Sequence, residues 1–502
     1  MNRPSPTSTR FALVLGLLAA AGLAGCSDDP VAPTDAGSTT DLGTPTDLGT
    51  TTDLGTTTDA GTPVDTGTPT DAGTPTDAGP VMIAPRNMAL SAAGHDRFYG
   101  VAYDAMGNFY AVGTVAPSTA ATDDQQTVVA RFNAQGQLDT TFGTMGIATH
   151  NFAMGGNGEV FRGIVVQPSG RIVISGNIEH AGATDARDRD IGVARLMPNG
   201  SRDPSFGTNG LVTLDLSDGV VAGTGYTADN VWSMSMYPDG RLVLCGSVVR
   251  TGGTDSDFAT IRLSVDGVRD MGFATNGVYT LDIDNLSGTP RTSTILPDGS
   301  IISNGYMNES NVIRPVIYKL TPAGVLDTTF GTNGIFQTPV LAAISETYAA
   351  VLQGANLVTT GYGRNAAPDN LDWLSLRLTA AGRLDTTYGT NGVVRIDLAG
   401  FNDNARTLVA LPDNRLFMVG GGRPTETNSD GMVGMLTANG ARDTTFGTNG
   451  VMSFDLGGGS DFFWGVALSP RGTHAAVVGS KGVGTTAGDD DDAVVMVVPM
   501  NR

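Results

Sequence analysis

The octapeptide DTTFGTNG at 327–334 is spelled again, letter for letter, at 443–450. A reaction site is needed once, so a glycine- and hydroxyl-rich element that recurs points to construction. Looser copies extend the series. Its aromatic residue falls at Phe142, Phe206, Phe273, Phe330, Tyr388 and Phe446, at spacings of 64, 67, 57, 58 and 58 residues. A period near 60 is the mark of a repeat architecture. The third copy shows the surroundings: VWSMSMYPDG (231–240), RLVLCG (241–246), a loop, DFATIRLSVDG (257–267), VRDMGFATNG (268–277) and VYTLDI (278–283). Short apolar runs rich in Val, Ile and Leu, bounded by Gly or PDG turns, predict four strands per repeat.

A second marker gives the count. A glycine is expected to end the second strand at Gly113, Gly176, Gly246, Gly305, Gly361, Gly420 and Gly479, hence seven repeats, while the octapeptide and its following strand occur six times. The sequence finishes at VVMVVPMNR after a third strand, and an orphan run, VMIAPRNMAL (81–90), precedes the first repeat. One strand taken from the N-terminus completes the set. The expectation is an all-β chain, a seven-bladed β-propeller of four-stranded blades closed by an N-terminal strand and left with no open edge. Pro85 suits an outermost strand, whose outer N–H groups need no partner. A parallel β-helix has shorter coils, and tandem sandwiches need roughly 100 residues each.

With LDTTFGTNG preceded by a PDG hairpin and a DFATIRL-like strand at intervals of about 60, the pattern resembles the delta-60 repeat of bacterial secreted and surface proteins, over about 420 of the 502 residues. The resemblance implies a propeller and no particular activity. Two repeats depart from it: Arg314 replaces the aspartate that opens the third strand, and Gly354-Ala355 replaces the usual first turn.

The N-terminus carries an address. Arg3 and Arg10 precede thirteen mostly apolar residues, Phe11 to Leu23, too few to span a bilayer, and then Leu23-Ala24-Gly25-Cys26. This tetrapeptide resembles the lipobox of bacterial lipoproteins, which implies a signal peptide over 1–25 and a lipidated Cys26 holding the protein to a membrane. Ser27 is compatible with outer-membrane sorting, so an outer-membrane lipoprotein at the cell surface is expected, with the periplasmic leaflet as the alternative. Residues 26–80 form a Thr/Asp/Gly/Pro linker with an aspartate every six residues from Asp35 to Asp77. Without apolar periodicity it cannot offset its ordering entropy and reads as a disordered stalk. The repeat domain is 81–502.

Formal charge is −21, from 29 basic and 50 acidic residues, with Lys319 and Lys481 the only lysines. Such a chain offers no basic stripe, and nucleic acid is excluded as a partner. Two cysteines exclude a disulfide framework; Cys245 reads as a small buried filler.

Candidate sites are sparse. The octapeptide reads as structural, its aspartate bonding turn N–H groups and its ring packing between neighbouring repeats. Two acidic series lie toward the opposite face, where the longer loops gather. One occupies the position of Gln126, Asp190, Asp257, Arg314, Asp372, Asp430 and Asp492, preceded two residues earlier in four repeats by Asp124, Asp188, Asp255 and Asp490; the other comprises Asp96, Glu159, Asp229, Asp403 and Asp461, expected at the channel mouth. Oxygen-rich clusters suit Ca²⁺, and Asp188, Asp190, Asp255, Asp257, Asp490 and Asp492 are the metal candidates, against the reading in which each aspartate caps its own turn. Trp232 and Trp464 open first strands and Trp373 a third, suited to blade packing or to stacking on a sugar. The histidines lack metal-ligand spacing and no catalytic motif is present. The reading is a monomeric, non-enzymatic scaffold presenting its loop face to a protein, glycan or cation; the alternatives are a hydrolase or lyase, or a Ca²⁺-dependent adhesin, using acidic loop-face residues.

Overall fold

The computed structural model describes residues 82–91, 94–118, 124–152, 159–180, 188–217, 229–249, 255–398, 400–425, 429–457, 459–483 and 491–500. The signal peptide, Cys26, the stalk and Asp490 lie outside them. The described chain is all-β, without a helix. It forms five four-stranded antiparallel sheets and one of nine strands, in which two neighbouring repeats are joined by the two-residue strand Ile344–Ser345.

The third repeat shows the plan. Asn230–Met236 turns at Pro238-Asp239-Gly240 into Leu242–Val249, which pairs with Ser256–Leu263, which pairs with Val278–Leu281. Gly240 takes the positive φ (+90°) that the turn requires. In the fifth repeat Gly354 (φ +62°) and Ala355 close the same hairpin in two residues, with Gln353 opposite Asn356. The orphan N-terminal run forms Ile83–Met88, antiparallel to Asp491–Pro499, so the first strand of the described chain completes the last sheet. The register slips between Ile83 and Arg86, which places Pro85 at an irregularity where no ladder hydrogen bond is lost.

The core lies between sheets. Phe206 and Val193 of the second repeat pack with Leu244 and Ile261 of the third, and an equivalent layer joins Phe109 and Val128 of the first repeat to Ala476 and Val495 of the last. First strands stand side by side in chain order. Asp96–Tyr103 packs against Val160–Val166 on one side and against Asp461–Leu468 on the other.

The marker glycines do not end their strands. The second strands run past them to Val115, Glu179, Val249, Glu309, Arg364, Gly422 and Gly482. Six of them face a slip in the first strand, such as that between Phe98 and Gly100 opposite Gly113. A Cβ on any of the seven would stand 1.7–2.2 Å from a backbone carbonyl oxygen, in the first strand for six of them and at Glu346, just before it, for Gly361; only glycine avoids this. The glycine therefore permits a β-bulge, and a bulge re-aims the side chain it carries.

Candidate functional site: a ring of arginines and aromatics in the channel

The bulged residues are Tyr99, Arg162, Trp232, Arg291, Arg406 and Trp464; in the fifth repeat Tyr348 holds the equivalent place, just before the first strand Ala349–Gln353. All seven line one central cavity of about 260 Å³. Guanidinium and aromatic side chains alternate around it. Arg162 lies 4.8 Å from the ring centroids of both Tyr99 and Trp232. Arg291 lies 4.0 Å from Trp232 and 4.1 Å from Tyr348, and Arg406 4.3 Å from Tyr348 and 5.0 Å from Trp464. Because seven is odd, one junction must pair like with like: Trp464 meets Tyr99 edge-on at 5.7 Å. Each cation–π contact contributes about 0.5–2 kcal/mol, more where water is excluded. A guanidinium held between two ring faces donates only from its N–H edge, and at Arg291 that edge is turned to the wall.

The next layer of the wall is small: Gly100, Gly163, Ser233, Thr292, Ala349, Thr407 and Gly465. A Cβ on Gly100 would fall 2.1 Å from the Arg162 carbonyl oxygen, so the small layer lets neighbouring first strands approach. Around Arg291 the wall becomes polar and buried. Its Nη2 donates to the hydroxyls of Tyr306 (2.8 Å) and Tyr348 (2.9 Å). Glu346 lies beside this group at 1% exposure. Burial raises its carboxyl above the ordinary range, opposed by the Arg291 charge and a hydrogen bond from Tyr362.

A second set of polar groups lies at the ends of the third and fourth strands. His180, Asp190 and Asp215 bring ligand atoms within 4.8 Å of one another, as do Asp255, Asp257 and Asp282, and Asp372, Asp397 and Asp403. Two of these trios contain or touch a basic side chain: His180 Nδ1 is 2.9 Å from Asp190, and Arg395 pairs with Asp372. Within Asp255, Asp257 and Asp282 all three are carboxylates.

Residues 120–142, 167–206, 238–273 and 296–330 match the family described as "Domain of unknown function (DUF5122) beta-propeller". These four segments are similar to the repeats of that propeller family. No curated protein matches. Solved structures similar to the propeller include the polysaccharide lyase Uly1 (10% identity, 82% of this chain and 91% of that one, TM-score 0.44). Drosophila Semaphorin 2a is similar at 10% identity, with 83% and 75% covered and a TM-score of 0.44. The β-propeller domain of the Trilobed protease from Pyrococcus furiosus is similar at 10% identity, with 82% and 96% covered and a TM-score of 0.40.

Within this propeller the residues singled out from sequence separate cleanly. The octapeptide is structural. Asp203 Oδ1 accepts from the backbone N–H (3.0 Å) and hydroxyl (2.6 Å) of Ser205 while Oδ2 accepts from Arg195 Nε at 2.8 Å, and the other copies repeat the plan. The Asp203 carboxyl is held at about 2; its burial, which would raise it, is outweighed by Ser205 and Arg195. Its aromatic ring is buried against the next repeat.

The series expected at the channel mouth is not exposed there. Asp96, Glu159, Asp229, Asp403 and Asp461 are at most 1% exposed. They hold backbone N–H groups beyond the preceding fourth strand: Phe152 for Glu159 (2.7 Å), Leu398 for Asp403 (2.8 Å), Leu456 for Asp461 (2.7 Å). Capping won because those N–H groups have no ladder partner. Ser345 does the same work in the fifth repeat, accepting from Leu341 N.

Of the metal candidates, Asp190, Asp255 and Asp257 join carboxylate groups, Asp188 lies beside the first group, and Asp492 accepts from Asn87 Nδ2 at 2.6 Å. Asp491 pairs with Arg97 and His95, so this pair of the aspartate run ties the last strand to the start of the propeller. Trp373 is fully buried, its Nε1 donating to Gly421 O, while Trp232 and Trp464 face the channel. Cys245 is fully buried, and burial pushes its thiol up to about 12.

Sequence reasoning singled out Trp232 and Trp464 but missed the other five members of the ring, and it missed Asp215, Asp282 and Asp397, which follow the fourth strands. The signal for the ring was an offset: in five repeats it lies three residues past the capping acid, at Tyr99, Arg162, Trp232, Arg406 and Trp464.

Proposed function

We propose that the protein is a non-enzymatic binding scaffold: a lipoprotein anchored through Cys26, with residues 26–80 as stalk and 81–502 as a closed, monomeric, seven-bladed propeller displayed at the outer-membrane surface. Seven first strands packed in sequence, with the last returning to the first, support the blade count, and the pairing of Ile83–Met88 with Asp491–Pro499 supports closure by the N-terminal strand. The observation that carries the binding reading is the ring of Tyr99, Arg162, Trp232, Arg291, Tyr348, Arg406 and Trp464 around one cavity. Its chemistry is that of recognition: guanidiniums do not give up protons, and aromatic faces with a few convergent donors are how pockets hold small ligands.

Two experiments test the parts separately. Metabolic labelling with a fatty acid should mark the wild type and leave Cys26→Ala unmarked; equal incorporation would contradict the anchor. Screening a panel of sugars, acids and peptides by retention on immobilised protein should yield a compound lost with Arg162→Gln. Retention unaffected by that change would remove the channel from the account.

A cation at the loop face is the second reading. The favouring observation is Asp255 Oδ2, buried without a hydrogen-bond partner beside Asp257 and Asp282. Millimolar Ca²⁺ should then raise the melting temperature of the wild type and not of Asp257→Asn; no rise in either would retire it.

A further inference from the structure

Resting on the reading of the channel as a binding site, we propose that the ring selects a hexuronate: one six-membered sugar ring carrying a carboxylate, whether as a free acid or as the end of an acidic polysaccharide.

Charge comes first. The chain is formally −21, yet three guanidiniums, Arg162, Arg291 and Arg406, converge on one small cavity. One carboxyl, Glu346, is buried beside them and feels the charges of both Arg291 and Arg406, and burial favours its neutral form. An anion entering the channel therefore leaves a repelling surface for a locally positive one, and guanidinium edges match carboxylate geometry.

Size and shape restrict the anion. A cavity of about 260 Å³ lies just below the roughly 300–1,000 Å³ of pockets that take drug-sized ligands, which suits one small ring and not a folded peptide or a duplex. Tyr99, Trp232, Tyr348 and Trp464 supply flat faces, which an inorganic anion such as phosphate cannot use and the apolar face of a pyranose can.

Hydroxyls decide between an aromatic acid and a sugar acid. Beneath the ring, Ser233, Thr292 and Thr407 line the same cavity. The Ser233 hydroxyl is buried without a hydrogen-bond partner, and Thr292 donates to Asn304 Oδ1 at 2.6 Å, leaving its own oxygen as an acceptor. A benzoate would leave these groups unsatisfied, while a hydroxylated ring satisfies them.

The test is equilibrium dialysis of the full-length protein in detergent micelles with labelled glucuronate, against glucose, acetate, phosphate and benzoate as competitors, and with a uronic-acid oligomer in a second arm. Glucuronate should bind saturably at one site, weaken as salt rises, and weaken about tenfold in Arg162→Gln, the loss of one charge-assisted contact. Arg406→Gln should repeat the loss with an unchanged circular dichroism spectrum. An oligomer that competes at one equivalent assigns a chain end, and one that does not assigns the free acid; either outcome supports the inference. Glucose, phosphate or benzoate displacing glucuronate as well as glucuronate itself would overturn it, as would an affinity indifferent to both arginine changes. Saturable binding of a neutral sugar alone would end the hexuronate inference and keep the channel as a binding site. New reducing ends or an unsaturated product from the oligomer would keep the ligand class and end the non-enzymatic reading.

Discussion

Phe330 of one octapeptide and Gly382 of the next repeat touch across a blade boundary: a Cβ on Gly382 would stand 2.8 Å from the phenyl ring and 2.5 Å from Gly331 N. The same boundary is closed by Gly331 N donating to Ala381 O at 2.8 Å. The aromatic ring of the octapeptide thus requires a glycine about fifty residues downstream, which is why both letters recur with the period.

Gly382→Ala combines a left-handed alanine (φ +71°) with a clash against backbone. The change should cost about 2–5 kcal/mol, the sum of αL strain and overpacking. Gly354, equally left-handed at φ +62° but with nothing within 4 Å, should lose only the strain, about 1–2 kcal/mol, on conversion to alanine. Urea midpoints at constant slope read the difference.

Each octapeptide aspartate needs a cation, and the repeats differ in how many they supply. Asp385 is served by Arg377 alone, whereas Asp203 has both Arg195 and Arg171 at 2.8 Å. In the sixth repeat Met435 stands in the third strand and Arg415 reaches Asp443 instead, at 3.1 Å. Arg377→Met should therefore cost about 1.5–3 kcal/mol, the loss of a charge-assisted hydrogen bond, since Thr387 and Asn356 still donate to Asp385, and Arg195→Met distinctly less. Equal losses in denaturation would contradict this division.

Stability should peak in mildly acidic solution. Burial raises Asp229 to about 6 and Asp403 and Asp461 to about 7, above the roughly 4 of an unfolded carboxylate. The folded state then holds these protons more tightly than the unfolded chain, so their contribution is present at about pH 4 and is lost as pH rises toward 7. Asp203, at about 2, and the lowered Asp139, Asp327, Asp385 and Asp443 act oppositely, losing their contribution as pH falls below about 4. Leu398 N donates to Oδ2 of Asp403 and Arg423 N to Oδ1, so Asp403→Asn keeps one of these acceptors and sets its NH2 against the other N–H: it should melt below wild type near pH 4, with the deficit shrinking toward pH 8 as the wild-type carboxyl ionises, measured in chelator.

The architecture was legible because its signals are periodic and local. An aspartate bonding the residue two places on, or a glycine at positive φ, obeys the same rule in each of the six octapeptides, two exact and four looser, and their recurrence makes the rule visible. The ring was not legible because its members share a place and not a chemistry. Tyr99, Arg162 and Trp232 look like three unrelated residues until the bulges opposite Gly113, Gly176 and Gly246 turn them into one channel. The capping acids misled for the converse reason: a series such as Asp96, Glu159 and Asp229 reads as a ligand set, and only burial reveals that backbone N–H groups already occupy it.

The chain has three tryptophans, two of them in the ring and the third, Trp373, buried between blades. That distribution gives the central claim its most direct measurement, the intrinsic emission of the full-length protein titrated with glucuronate. A saturable change is expected that survives Trp373→Phe and disappears when Trp232 and Trp464 are both replaced by phenylalanine. A change that persists in the double variant, or that vanishes with Trp373, would place the ligand outside the channel and contradict the account.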